Sequence, residues 1–384
     1  MKKTSTVIIA IIILVIGAIY LFRDRLISLF FSPTTSPIRQ GVTTKDIDEK
    51  STSNEQVENI EIVAENLEIP WEMAFLPDGS MLVTERPGRL LKISTKTKII
   101  TEIEGVEHVG EGGLMGMALH PDFQQNRWIY LYFTTRTNEG LTNRVERYIF
   151  ENDSLSDKKT IIQGIKGAAN HDGGRMEFGP DGYLYLTTGD AQVPNSAQDS
   201  SSLNGKVLRI TDEGETPSNN PFGNEVYSMG HRNPQGITWD DRGQLWISEH
   251  GPSGFQSGFD EINLIRMGAN YGWPVVRGEE EREGLISPVI QSGSDDTWAP
   301  AGIEFLNGSL FFAGLRGETL YEAKISENNT LELTRHFSGE FGRLRAVRIG
   351  PDGFLYITTS NRDGRGSAGS GDDKIIKINP GVFE

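Results

Sequence analysis

The chain has 384 residues, of which 53 are acidic and 37 are basic, and its formal net charge is −16. A chain this acidic repels nucleic acid and anionic lipid surfaces, which argues against a role in binding nucleic acid. It contains no cysteine, which excludes disulfides, thiolate metal sites and cysteine nucleophiles, and its 44 glycines fit an all-β chain rich in turns.

Residues 1–31 are predicted to form a hydrophobic anchor helix or a signal segment. Two lysines precede an uninterrupted apolar run from Val7 to Phe22, and no small-x-small cleavage site follows it. The run is longer than a usual signal-peptide core and slightly shorter than an average membrane span, which favours an uncleaved membrane anchor over a cleaved signal. Either kind of segment sends the rest of the chain out of the cytoplasm, to the periplasm or the cell surface.

Residues 32–59 are rich in Ser, Thr, Pro and charge and show no hydrophobic periodicity. This composition predicts a flexible linker. The folded domain is therefore predicted to span residues 60–384.

A motif recurs six times in this domain: an apolar strand, a tight turn and a second apolar strand. Asp, Asn and Gly accept the backbone angles that such turns require. Repeats of this kind are typical of propeller blades, so the sequence predicts an all-β, six-bladed β-propeller with a central channel. The six turns are Pro77-Asp78-Gly79, Pro121-Asp122-Phe123, Pro180-Asp181-Gly182, Asp241-Arg242-Gly243, Leu306-Asn307-Gly308 and Pro351-Asp352-Gly353.

The two ends of the domain are predicted to close the ring. An apolar strand from Ile60 to Val63 precedes the first repeat, and another from Lys374 to Ile378 follows the last. We expect these strands to meet in one blade, because each would then protect the other's edge.

Polar residues are predicted to gather at one end of four hairpins. In an antiparallel hairpin, residues equidistant from the turn face each other. Counting outward from the turn at Asp181 therefore places His171 opposite Asp190. A solvated strand end explains any one such residue, but it does not explain the whole set. The same counting brings together Arg232 and Asn233 with Glu249 and His250, Trp298 with Arg316, and Arg343 with Asn361.

His171 is the candidate general base. An imidazole near the carboxylate of Asp190 can take up a proton, because the carboxylate fixes the tautomer of the ring and supports the positive charge that develops. The alternative is a structural histidine that caps a turn.

Several arginines are predicted to face the same channel mouth. Convergent guanidinium groups in so acidic a chain indicate an anionic ligand that carries carboxylates or phosphates. Arg348 has the opposite parity from Arg345 on the same strand, and we expect it to form no more than a surface ion pair. The converging residues are Arg232, Arg316, Arg343 and Arg345.

A metal site is predicted where a strand ends in Gly251-Pro252. The backbone turns outward at such a dipeptide and can offer carbonyl oxygens to a hard cation such as calcium. A transition-metal site that uses His171, His231 and His250 is the alternative, but no ligand spacing supports it.

From about Ile60 to Pro380 the chain resembles the soluble aldose sugar dehydrogenases that use pyrroloquinoline quinone, within the glucose/sorbosone dehydrogenase family. The similar stretches cover five of the six repeats in the same order. They are Ile69-Pro70-Trp71 with Pro77-Asp78-Gly79, Gly112 to Gly116, His120 to Phe123, His171 to Arg175, Gly230 to Gly236, Glu249 to Pro252, Asp260 to Asn263, and Asn270 to Pro274.

This resemblance implies roles for the residues identified above. His171 would remove the proton of the sugar hydroxyl while hydride passes to the quinone, and Asp190 would orient His171. The carbonyl oxygens of Gly251 and Pro252 would hold a catalytic calcium ion that polarises the quinone. The cofactor would contact Glu111, Arg232, Asn233, Arg316, Arg343, Arg345 and Asn361.

The resemblance also implies a second, structural calcium ion at main-chain oxygens of Glu261 and Tyr271. The chain departs from the family at two cofactor positions. Gln is common where this chain has Glu111, and a carboxylate there would repel an anionic cofactor unless it is protonated or turned away. Lys is frequent at the position of Arg316, so the charge is kept but the geometry differs.

The sequence thus predicts an anchored, extracytoplasmic dehydrogenase that oxidises the C1 hydroxyl of aldoses to lactones and passes electrons to an acceptor. One alternative is a calcium-dependent lactone hydrolase on a similar propeller. The other is a propeller that binds glycans or proteins without catalysis.

Overall fold

A computed structural model describes residues 59–252 and 257–383. The predicted anchor and almost all of the predicted linker lie outside these described residues. Within them the chain forms six four-stranded antiparallel sheets, which confirms the all-β, six-bladed prediction. No helix in the described ranges is both long enough and apolar enough to cross a membrane.

The strands follow one another blade by blade. Blade 1 contains β2 (Pro70–Phe75), β3 (Met81–Glu85), β4 (Arg89–Ile93) and β5 (Thr97–Glu102). Blade 2 contains β6 (Leu114–Leu119), β7 (Trp128–Thr137), β8 (Gly140–Glu151) and β9 (Ser154–Lys166). Blade 3 contains β10 (Met176–Phe178), β11 (Leu184–Thr188), β12 (Lys206–Ile210) and β13 (Val226–Met229).

The second half of the ring repeats this order. Blade 4 contains β14 (Pro234–Trp239), β15 (Leu245–Glu249), β16 (Glu261–Ile265) and β17 (Ile290–Gln291). Blade 5 contains β18 (Pro300–Leu306), β19 (Ser309–Gly314), β20 (Thr319–Ile325) and β21 (Leu331–His336). Blade 6 contains β22 (Leu344–Ile349), β23 (Leu355–Thr359), β24 (Ile375–Ile378) and β1 (Ile60–Ala64). The short helices are α1 (Phe123–Asn126) and two 3₁₀ turns, Pro194–Gln198 and Pro380–Phe383.

Each predicted turn connects the first and second strands of a blade. Five are short connections, as expected. The turn at Pro121-Asp122-Phe123 differs, because the chain continues there into α1 before β7 begins. The first strand of every blade contacts the first strands of both neighbouring blades. These six inner strands, β2, β6, β10, β14, β18 and β22, therefore surround the central channel.

The N-terminal strand β1 closes the ring. It pairs antiparallel with β24, with Ile60 opposite Ile378 and Ile62 opposite Ile376, and it is the outermost strand of blade 6. This confirms the predicted closure. Blade 6 is thus built from both ends of the domain, and Ile375 and Ile376 are buried in its core.

Five of the six inner strands carry an irregularity in register near their first residues. In β22 it lies between Leu344 and Val347, where β22 has one residue more than its partner β23. Such a bulge shifts the alternation of side chains by one residue. Arg348 therefore faces the channel, and the prediction that it forms only a surface ion pair was wrong.

Arg348 joins three blades across the channel. Its guanidinium contacts Glu72 on β2 at 2.8 Å, Glu177 on β10 at 3.0 Å and Glu304 on β18 at 3.2 Å. Glu72 also bonds the buried Arg175. Burial raises the pKa of Glu177 to about 7, whereas Arg175 and Arg348 outweigh burial at Glu72 and lower its pKa. An ionic layer of two buried and three half-buried side chains thus lies in this part of the channel.

Candidate active site

The predicted catalytic pair forms a direct contact at the channel mouth. Nδ1 of His171 lies 2.8 Å from Oδ1 of Asp190, whose side chain is buried. The other carboxylate oxygen, Oδ2, accepts a hydrogen bond from Nε1 of Trp273 at 2.9 Å. Because both oxygens of Asp190 are held, the imidazole has a fixed orientation, and its Nε2 takes no part in this contact.

The backbone of His171 adopts a left-handed conformation, with φ of 66°. Residues other than glycine rarely adopt it, and such residues concentrate at functional sites. The carbonyl oxygen of His171 accepts a hydrogen bond from the N–H of Ala191 at 3.1 Å. It also packs so closely on Gly189 that a Cβ there would lie 1.9 Å away. Glycine at this position therefore allows the histidine loop to reach the mouth.

Glu111 contacts three other residues at the channel mouth. Its Oε2 accepts hydrogen bonds from the backbone N–H of His171 at 3.0 Å and from Nδ2 of Asn233 at 3.4 Å. Its Oε1 lies 2.6 Å from the guanidinium of Arg365. Burial acts to raise the pKa of Glu111, but Arg365 and His171 hold it well below the usual range. Glu111 is therefore ionised and paired, and it is not protonated.

Two of the predicted arginines converge on Asp363. Arg343 donates to it from two nitrogens, at 3.0 and 2.8 Å, and Arg345 lies 3.7 Å away. The pKa of Asp363 is lowered, because Arg343, Arg86 and Arg345 together outweigh its burial. Arg345 itself has a pKa lowered to about 9 by burial and by the charge of Arg86. Excess positive charge thus remains beside Asp363.

Two buried nitrogens at the mouth have no hydrogen-bond partner among the described residues: Nε of Arg345 and Nε2 of His250. Such orphaned groups are costly unless a ligand satisfies them. Burial, with the charges of Arg232 and Arg345, lowers the pKa of His250 to about 3, so its ring is neutral. A ligand that accepts hydrogen bonds fits this place.

Of the remaining predicted cofactor residues, Asn233 and Arg232 contact residues of the mouth. Oδ1 of Asn233 accepts a hydrogen bond from Gly173 at 3.1 Å. Arg232 donates to the carbonyl oxygen of His250 at 3.3 Å. Arg316 is exposed, and its neighbour Leu315 accepts a hydrogen bond from Arg343.

Asn361 has a different environment from the other predicted contacts. It uses its whole amide within the protein, with Oδ1 bound to the N–H of Arg343 and Nδ2 bound to Phe341 and Asp372. Its observed effect is therefore to fix the start of β22. A direct contact with a cofactor stays a prediction.

The four predicted metal residues, Gly251, Pro252, Glu261 and Tyr271, line one small cavity of about 20 Å³. That volume suits a single water molecule or ion. Glu249 also lines it, and burial together with Glu249 raises the pKa of Glu261 to about 8. Among the hydrogen bonds of the described residues, none uses the carbonyl oxygen of Gly251 or Pro252. The lining therefore offers oxygen atoms of the kind that calcium prefers, beside the side chains of Arg232 and Arg277.

Sequence reasoning missed four residues of the mouth: Arg86, Trp273, Asp363 and Arg365. Trp273 was named only within Asn270 to Pro274, a stretch that resembles the family, and no role was assigned to it. Arg86 contacts Asp363 across 277 residues and Arg365 contacts Asn170 across 195, so no local spacing signals these contacts. Asp363 lies only 20 residues from Arg343, but no motif marks it.

The chain is similar in sequence and fold to proteins of one family. The family model described as "Glucose / Sorbosone dehydrogenase" matches residues 67–368. "Aldose sugar dehydrogenase YliI" of Escherichia coli K12 is 33% identical over 359 residues, which cover 84% of this chain and 93% of that protein. "Quinoprotein glucose dehydrogenase B" of Acinetobacter calcoaceticus is 33% identical over 58% of this chain and 54% of that protein.

A solved structure shows the same likeness in three dimensions. The pyrroloquinoline quinone-bound aldose sugar dehydrogenase of Streptomyces coelicolor is 39% identical, with a TM-score of 0.78 over 83% of this chain and 97% of that one. The family match and the six-bladed ring together lead to one conclusion: this chain is an oxidoreductase of the glucose/sorbosone dehydrogenase family.

Proposed function

We propose that the protein oxidises the C1 hydroxyl of aldose sugars to lactones, with pyrroloquinoline quinone and calcium as its cofactors. The observation that carries this proposal is the His171–Asp190 pair at 2.8 Å beside an arginine-rich mouth. A base and an anion-binding surface are the two things that this reaction needs from the protein. The names of the relatives in E. coli, A. calcoaceticus and S. coelicolor support the same reaction class.

The residues of the mouth fit an anionic cofactor. Its five arginines can bind carboxylates, and the cofactor carries three carboxylates of its own. The orphaned nitrogens of Arg345 and His250 supply buried donors or acceptors for it. The five arginines are Arg86, Arg232, Arg343, Arg345 and Arg365.

Calcium fits the cavity beside the mouth. The carbonyl oxygens of Gly251 and Pro252 would hold the catalytic ion, and Glu261 and Tyr271 line the same cavity. When bound, the quinone supplies the two-electron acceptor for hydride from C1 of the sugar, and calcium supplies a Lewis acid for it.

His171 performs the proton transfer in this proposal. Its Nδ1 is held by Asp190, so Nε2 is the atom that takes the proton of the C1 hydroxyl. The C1–O bond becomes a carbonyl as the proton leaves the oxygen and hydride leaves the carbon. The negative charge of Asp190 stabilises the imidazolium that results, and Trp273 keeps Asp190 in place.

The cellular context is also part of the proposal. The N-terminal segment would anchor the enzyme outside the cytoplasm, and an external electron acceptor would complete the reaction. Two exposed apolar side chains, Val193 and Val275, lie close in sequence to Asp190 and Trp273, where a sugar or an acceptor would approach.

The alternatives have less support. A calcium-dependent lactone hydrolase would need carboxylate and Asn side chains around one central ion. Among the described residues, no group of three or more His, Cys, Asp or Glu side chains could hold a metal. A propeller that only binds glycans or proteins would not require a general base, such as the hydrogen-bonded pair of His171 and Asp190.

The test is reconstitution. The purified protein should reduce a dye in the presence of an aldose only after pyrroloquinoline quinone and calcium are added, and its absorption spectrum should then show bound quinone. Hydrolysis of a lactone without dye reduction would favour the hydrolase, and inactivity in both assays would favour the binding module.

A further inference from the structure

Arg365 contacts the active site from a loop of blade 6. One nitrogen of its guanidinium lies 2.6 Å from Oε1 of Glu111, and another donates to Oδ1 of Asn170 at 2.7 Å. These partners stand 254 and 195 residues away along the chain. Arg365 therefore ties blade 6 to the loops that precede the inner strands of blades 2 and 3.

Both partners of Arg365 are directly connected to His171. Asn170 is its neighbour in the chain, and Glu111 accepts its backbone N–H at 3.0 Å. A histidine in a left-handed conformation needs such restraints, because its backbone would otherwise relax to a more favourable region. Asn233 contacts the same Glu111 oxygen at 3.4 Å. Two residues predicted to serve the reaction thus depend on one carboxylate, and Arg365 contacts it on its other oxygen.

The charge of that carboxylate presents a problem. An ionised Glu111 at the mouth would repel an anionic cofactor, as the sequence already indicated. The pairing with Arg365 cancels this charge while it leaves Oε2 free to hold His171. Arg365 therefore has two effects: it holds Glu111 in place to restrain His171, and it neutralises the charge of Glu111.

We propose that Arg365 is a positioning residue that allows Glu111 to hold His171 without repelling the anionic cofactor. The inference rests on the proposed function for the second of these two effects. The first effect, the restraint of His171, belongs to the protein alone and can be measured without any cofactor.

The first experiment measures cofactor affinity in a double-mutant cycle. Pyrroloquinoline quinone is titrated, with calcium present, into the parent, Arg365→Ala, Glu111→Gln and the double variant. Arg365→Ala should weaken binding by about a hundredfold, because the repulsive carboxylate is left uncompensated. In the Glu111→Gln background the same change should weaken binding by less than about fivefold, because no charge remains to be neutralised.

Equal losses in the two backgrounds would overturn the proposal, since they would make Arg365 a direct cofactor contact. If Arg365→Ala did not weaken quinone binding in the parent, which retains Glu111, the proposal would be overturned as well. Melting temperatures of the parent and the three variants in the absence of quinone establish that they are folded.

The second experiment follows hydrogen exchange of the His171 amide in quinone-free protein. Arg365→Ala should speed exchange by about tenfold or more, because Glu111 loses its tether and releases the N–H more often. Arg136→Ala is the matched control, since Arg136 is 43% exposed and pairs with Glu107, while Arg365 is 44% exposed. Unchanged exchange in Arg365→Ala would overturn the restraint. If the parent protein binds no quinone, the proposed function fails, and this exchange comparison still decides the role of Arg365.

Discussion

At the scale of single residues, the account depends on what surrounds His171. Its ring is fixed by Asp190, its N–H by Glu111 and its carbonyl oxygen by Ala191. A histidine that merely capped a turn would not need a buried carboxylate and a second carboxylate on its backbone. Convergent restraint of this kind is typical of a catalytic base.

The role of His171 can be tested by replacement. His171→Ala should lower kcat by about a hundredfold or more, the usual contribution of a positioned general base, while the quinone still binds. His336→Ala is the control, because His336 also pairs with a carboxylate at 2.9 Å and its side chain is 17% exposed, against 16% for His171. Turnover that is the same in the two variants would contradict the assignment.

Asp172 gives a pH-dependent prediction. Oδ1 of its buried side chain accepts hydrogen bonds from Asn143 and Ala168, while Oδ2 has no partner among the described residues. Burial raises the pKa of Asp172 to about 7, whereas the ordinary value is about 3.9. Between pH 4 and 7 the folded protein therefore keeps a proton that the unfolded chain has lost. Stability contributed by this group is present at pH 4 and is lost as pH rises to 7.

Asp172→Asn removes this titration, since an amide resembles the protonated acid. The free energy of unfolding of the variant, relative to the parent, should rise by up to about 4 kcal/mol between pH 4 and 7, the value of three pKa units. Urea unfolding at several pH values measures the difference. Parallel pH profiles for the two proteins would show that Asp172 does not titrate in this range.

At the scale of elements, the bulges of the inner strands decide which side chains face the channel. The bulge in β22 turns Arg348 inward, where it contacts carboxylates from β2, β10 and β18. A cation shared by three blades holds the inner strands together electrostatically. Its removal would leave the half-buried Glu177 and Glu304 without a counter-charge, while Glu72 would keep Arg175, and unpaired carboxylates away from water are costly.

Arg348→Met should therefore destabilise the propeller by about 3 to 5 kcal/mol. The side chain of Arg348 is only 14% exposed, so solvent screens these ion pairs little. Arg335→Met removes an exposed ion pair with Asp296 and should cost less than about 1 kcal/mol. Denaturant midpoints compare the two. Equal midpoints would mean that the ionic layer contributes nothing to the ring.

Some of these features can be predicted from the sequence and others cannot. The six turns, the closing strands and the His171–Asp190 contact could be predicted, because turn chemistry and counting along a hairpin are local rules. The direction of Arg348 could not, since a bulge depends on how neighbouring inner strands meet. Arg365 was missed for a related reason: its partners Glu111 and Asn170 belong to distant repeats, which meet only after the ring has closed. Asp363 lies just beyond the hairpin that carries Arg343, and counting about the turn does not reach it.

At the scale of the whole molecule, the ring concentrates positive charge in a protein that is strongly acidic. The net charge of the chain is −16, yet arginines from blades 1, 4 and 6 meet at one end of the channel. A stable fold alone gives no reason to place them together with orphaned nitrogens. An anionic cofactor gives such a reason.

Isothermal titration of pyrroloquinoline quinone into the purified protein, with calcium present, tests this claim most directly. We predict saturable binding to the parent. Arg345→Ala should bind the quinone with about 1.5 to 3 kcal/mol less free energy, the scale of a charged hydrogen bond, which is tenfold to more than a hundredfold in affinity. Arg335 lies outside the mouth, so the Arg335→Ala variant should bind the quinone with the same affinity as the parent. No detectable binding to the parent would contradict the account and return the choice to the hydrolase or the binding module.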